Sequence, residues 1–107
     1  MPRRVILESP YAGGVERNLR YLRRALRDSL LRGEAPFASH GLYTAALDDL
    51  DPGERSLGIR AGLAWGAAAE ATVVYADLGI SPGMRIGIDA AVAAGRPVET
   101  RYLGAEP

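Results

Sequence analysis

The sequence predicts an α/β domain: a three-layer sandwich with a small, mainly parallel sheet of four or five strands and helices on both faces. Three observations lead there. Short apolar runs alternate with longer amphipathic ones along all 107 residues. The run "TVVY" is apolar without a polar alternation, which suits a strand covered on both sides. Two segments, "DPGER" and "SPGM", carry a capping residue followed by proline, the chemistry of a helix start. Strands that alternate with helices call for crossovers and a parallel sheet.

The elements follow in order. "RVILESP", residues 4–10, reads as a buried strand closed by a Ser-Pro turn. "YAGG" supplies the loop. From Val15 to Leu31, Val15, Leu19, Leu22, Leu26 and Leu30 recur at helical spacing, with Arg17, Arg20, Arg24, Arg27 and Asp28 on the solvated side. Gly33 ends this helix. "APFASH", residues 35–40, is a second, weaker strand, and "GLYTAALDD" fits either a loop or a short helix.

Asp51 then caps a helix that opens on Pro52, along which Leu57, Ala61, Ala64, Trp65 and Ala68 share a face. "TVVYAD", residues 72–77, is the clearest strand. Ser81 caps the next helix, Pro82 opens it and Gly95 stops it. "RPVETRYL", residues 96–103, closes as an edge strand because of its Arg, Glu and Thr.

Bulk properties narrow the function. The length suits one domain, residues 1–107, with one core. Thirteen basic and 13 acidic residues cancel, which gives no sign of a nucleic-acid polymer or membrane partner. All the basic residues are Arg, read as coding bias. The lack of Cys excludes disulfides and thiolate chemistry, and one His makes a dedicated metal site unexpected; no cofactor is expected. The N-terminus has only a three-residue apolar run before Glu8, too short for a signal-peptide core, and no segment approaches ~20 uncharged apolar residues. A cytoplasmic protein is expected.

In an open parallel sheet, ligands sit outside the carboxyl ends of the strands. That rule collects "ESPYAGG", "SHGLYTAALDD" and "DLGISPG" into one region. "YAGG" and "GISPG" precede helices whose free amides favour anions, although neither is a phosphate-binding P-loop or a dinucleotide fingerprint. His40, Tyr11 and Tyr43 are placed to orient or stack on a ligand, or simply to pack. Arg55 opposes the dipole of its own helix, so an acidic partner or a ligand phosphate is expected beside it.

Together "ILESPYAGGVERN", "PFASHGLYTAALDDLDPGER" and "VVYADLGISPGM" resemble the nucleoside 2-deoxyribosyltransferase superfamily, in particular its short phage and bacterial branch, over almost the whole chain. The resemblance implies a flavodoxin/Rossmann-like fold and cleavage or exchange of the N-glycosidic bond of deoxynucleosides or their monophosphates. It implies sugar or phosphate binding at Ser9, Tyr11, Gly13 and Gly14, a ligand-contacting Asp77, and a phosphate or sugar 5' end at Ser81 and Gly83. It also implies a nucleophilic glutamate in the pattern Gly-Met-x-x-Glu.

Here that pattern reads Gly83, Met84, Arg85, Ile86, Gly87, so glycine stands at the glutamate position. Asp89 is two residues further, about 200° around the helix, and is expected to pair with Arg85 instead. Asp77 and Glu8 are therefore the candidate catalytic carboxylates. Glutamate introduced at position 87 is expected to raise glycosidase activity. The other reading is a nonenzymatic nucleotide-binding or sensing module, and a third is a structural oligomerisation domain. A homo-oligomer is expected, with the Trp65 helix available for self-packing.

Overall fold

The computed structural model describes residues 1–105. It is a three-layer α/β sandwich whose sheet has four parallel strands: β1 (Arg3–Glu8), β2 (Glu34–Phe37), β3 (Ala71–Tyr75) and β4 (Val98–Arg101), in the order β2-β1-β3-β4. The helices are α1 (Val15–Leu31), α2 (Ser39–Leu42), α3 (Pro52–Gly66) and α4 (Pro82–Ala93), with a 3-10 turn at Tyr43–Ala45. Strand order reverses between β1 and β3, which places the crevice of a flavodoxin-like fold above Glu8.

Register explains how β1 serves two layers. Val5 and Leu7 join Ala71, Val73 and Tyr75 in a cluster with Tyr21, Leu22 and Ala25 of α1. Successive side chains alternate between faces, so Ile6 and Glu8 lie opposite that cluster, beside their partners Thr72 and Val74. β3 is buried at all five positions, as its apolar run required.

Two readings of helix faces are corrected. The buried line of α1 is Asn18, Tyr21, Leu22, Ala25 and Ser29, while Val15 and Leu30 are exposed; Leu19 and Leu26 flank the core. The small Ala25 and Ser29 are fully buried on that line, together with the buried Leu22. On α3, Leu57 and Trp65 are exposed, and the inward positions are Gly58, Gly62 and Gly66, which meet Tyr43 and Leu47, Ser39, and Arg96 in turn. Hydrophobic periodicity does not register a face made of glycines.

The helix starts at Asp51 and Ser81 form as read. The Asp51 carboxylate accepts from the amides of Gly53 and Glu54, and the Ser81 hydroxyl accepts from the amide of Met84 at 3.2 Å. The ambiguous stretch after β2 resolves into α2 and the 3-10 turn. β4 is an edge strand, yet Arg101 is buried, held in a two-pronged pair with Glu34 of the opposite edge strand at 2.7 Å for both bonds. No helix is long and apolar enough to cross a membrane among the described residues.

Candidate functional site

Beneath the crevice, between the sheet and the layer of α2, α3 and α4, lies a cavity of about 240 Å³. Eight of the eleven sequence candidates line it: Glu8, Ser9, Tyr11, His40, Tyr43, Arg55, Ser81 and Gly83. They come from the carboxyl end of β1, the segment after β2, the first turn of α3 and the start of α4, elements brought together by topology alone.

Glu8 is the ionisable group at the centre. Burial raises its carboxyl from 4.5 to about 8, with the charge of Arg96 acting weakly in the other direction. The carboxylate lies on the bare backbone of α4: a Cβ on Gly87 would meet Glu8 Cδ at 2.6 Å and Oε1 at 3.1 Å. Gly87 is buried. Glycine at 87 is therefore the condition for a glutamate at position 8 in this packing.

Next to it, Ser9 Oγ and His40 Nε2 are 2.7 Å apart. Burial lowers the His40 imidazole from 6.5 to about 4, so the ring is neutral near pH 7. In a neutral ring one nitrogen donates and the other accepts, and the Ser9 hydroxyl satisfies Nε2 in either role. The pair anchors α2 to the end of β1.

At the rim, Arg55 meets the acidic partner its position called for: its Nε is 3.7 Å from Asp49 Oδ1. Its guanidinium also leans over the start of α4, where a Cβ on Gly83 would lie 3.6 Å from Nη2. A cation and the positive end of a helix dipole thus face the same opening. Phe37 and Tyr43 line one wall and cluster with Trp65 outside it, with ring centroids 6.2 Å apart for Phe37 and Tyr43 and 5.5 Å for Phe37 and Trp65. The Trp65 indole N–H donates to the Tyr43 hydroxyl at 2.9 Å.

Three candidates lie elsewhere. Asp77 is outside this cavity, on the side of α1. Its Oδ1 accepts from the Tyr21 hydroxyl at 2.5 Å and the Leu103 amide at 2.8 Å, and its Oδ2 from the Gly104 amide at 3.0 Å. These bonds hold its carboxyl below the usual range despite partial burial and spend it on fastening the segment after β4. Gly13 and Gly14 are also outside the cavity lining. Their φ values of 75° and 90° make the turn into α1, a conformation glycine adopts without strain. Asp89 pairs with Arg85 at 3.9 Å on the surface, as expected.

Arg96 was not singled out by sequence, and it lines the cavity. It follows α4 in "AGRPV", which carries no signal beyond a helix stop. Its Nε donates to Thr72 Oγ1 at 3.1 Å and its Nη1 to the Gly66 carbonyl at 2.9 Å.

Residues 3–101 match a family model described as a domain of unknown function (DUF7768). No curated protein and no solved structure matches the chain.

Proposed function

The chain belongs to the DUF7768 family, which its residues 3–101 match, and we propose that within it the protein binds a deoxynucleoside or deoxynucleotide and cleaves or exchanges its N-glycosidic bond. The observation that carries this reading is the seating of the Glu8 carboxylate against Gly87. It sets a carboxylate directly beside the α4 position to which the deoxyribosyltransferase-like pattern assigns a glutamate.

In this reaction a Glu8 oxygen attacks the anomeric carbon as the C–N bond breaks. The bonding pair leaves with the base, which takes a proton from solvent. Water, or a second base, then displaces Glu8 from the sugar. A carboxylate suits both steps because it stabilises an oxocarbenium-like centre and is itself a fair leaving group. Arg55, with Ser81 and Gly83 at the start of α4, holds the 5' end. Ser9 and His40 shape the wall beside the sugar, and Tyr11 and Tyr43 close the rim.

A second reading has its own support. Burial holds Glu8 protonated near pH 7, and a protonated carboxyl is a weak nucleophile, which favours a nucleotide-binding or sensing module. Incubation with deoxynucleosides and their monophosphates at pH 7 and pH 9, followed by chromatography for free base, separates the two. Base release that disappears in Glu8→Gln supports the enzyme; ligand-induced thermal stabilisation without release supports the binder. A homo-oligomer belongs to the same proposal, with exposed Leu57 and Trp65 on α3 as its contact and light scattering as its test.

A further inference from the structure

Resting on that reading of the cavity, we propose that Arg96 recognises the base and that the preferred base carries a ring carbonyl. The layout of the cavity gives the order of ligand parts. Gly83 at the rim and Gly87 at Glu8 are four residues apart on α4, about 6 Å of helix rise. On α3, Gly58 and Gly66 are eight apart, about 12 Å, and Gly58, Gly62 and Gly66 all line the cavity. A phosphate or 5' hydroxyl at the rim and an anomeric carbon at Glu8 leave the part of the cavity between Glu8 and Arg96, where Ser39 and Arg96 lie against the bare α-carbons of Gly62 and Gly66, for the base.

Arg96 bounds that part of the cavity. Two of its five N–H donors are used, on Thr72 Oγ1 and the Gly66 carbonyl. Both acceptors are neutral, and among the described residues Arg96 forms no salt bridge. The bare α-carbon of Gly66 lets the guanidinium lie flat against α3, since a Cβ there would meet Nη2 at 2.9 Å. The anchoring bonds fix the plane of the guanidinium, and its remaining N–H groups are available to a carbonyl acceptor on a flat ligand. A guanidinium donates only. It therefore favours an edge with two adjacent acceptors, so hypoxanthine, which presents its 6-oxo group beside N7, is accepted over adenine, which sets an amine donor beside N7.

The test uses the whole chain and two readouts. Free hypoxanthine and free adenine are titrated into the wild type and Arg96→Met by calorimetry, and base release is followed from dIMP and dAMP. The expected result is roughly tenfold or greater preference for hypoxanthine in binding, narrowed to within about twofold in Arg96→Met. Equal binding of the two bases by the wild type overturns the proposal, as does binding of neither, or a preference that survives in Arg96→Met. Should Arg96→Met fail to fold, the wild-type comparison together with Arg96→Lys decides. No base release from any deoxynucleotide, beside a clear hypoxanthine preference in binding, removes the glycosidic reading and keeps Arg96 as the base reader.

Discussion

Glu8 and Gly87 are a matched pair: the carboxylate of one fills the volume that a side chain on the other would take. Substituting either alone disturbs both. Gly87→Ala forces the Glu8 carboxylate to move and is expected to cost about 1–3 kcal/mol in urea denaturation. Gly87→Glu, which sequence reasoning offered as a gain of function, instead brings two carboxyls together and is expected to be less stable and no more active. The exchange variant Glu8→Ala with Gly87→Glu returns one carboxylate to the space. It is expected to recover most of the lost stability, and any base release the wild type shows.

Protonation of Glu8 gives a pH signature. Its carboxyl is raised from 4.5 to about 8, so between those values the folded state keeps a proton that the unfolded chain has lost. Stability therefore falls as pH rises through that window. Glu8→Gln removes the dependence and is expected to gain on the order of 4 kcal/mol relative to wild type by pH 8, seen in denaturation at pH 4.5 and pH 8. Any base release by the wild type is expected to rise with pH through about 8, as Glu8 ionises.

His40 acts in the opposite sense. With its imidazole lowered from 6.5 to about 4, the unfolded chain binds a proton that the folded state refuses. Stability is present above pH 6.5 and is lost as pH falls toward 4. His40→Gln flattens this limb, by about 3 kcal/mol between the two ends. The Glu8 and His40 effects oppose one another between pH 4.5 and 6.5, so only the single variants separate them. An unchanged acid limb in His40→Gln would contradict the buried, neutral ring.

Asp77→Asn tests whether the acid after β3 is structural. Asparagine keeps an acceptor but weakens the bonds from Tyr21, Leu103 and Gly104, at an expected cost of about 1–3 kcal/mol. Base release or ligand binding should change by less than about twofold at saturating stability. A large catalytic loss in a well-folded Asp77→Asn would return this residue to the site.

Much of this was legible because helix signals are local. Val15–Leu31 was bounded by its own periodicity, and Asp51-Pro52 and Ser81-Pro82 announced α3 and α4. The strand-end rule gathered most of the site. What escaped depends on contacts between distant residues. Glu8 and Gly87 are 79 positions apart and meet only through packing, so the resemblance could name a glutamate absent at position 87 while nothing local in the sequence showed what lies against that glycine. Arg96 draws its meaning from Thr72 and Gly66, and the inward face of α3 is built from residues with no side chain to count. Asp77 was misplaced because a strand end offers two sides, and the Tyr21 hydroxyl that claims it lies on a helix 56 residues earlier.

The buried Glu34–Arg101 pair supplies a further prediction. Removing Arg101 leaves the buried Glu34 with only Ser29 and the more distant Arg3, so Arg101→Met alone is expected to cost about 3 kcal/mol, while Glu34→Leu with Arg101→Met recovers much of it. Urea denaturation of the two singles and the double measures the coupling.

That same pair joins the first and last strands of the sheet, β2 and β4, under α1. In an open sheet the two margins ordinarily loosen independently, each at its own small free energy. Here neither margin can peel away without breaking the two-pronged bond that joins it to the other. The edges are thereby tied into one cooperative unit, and in amide exchange the protection of β2 and β4 should rise and fall together, as if the sheet had no ends.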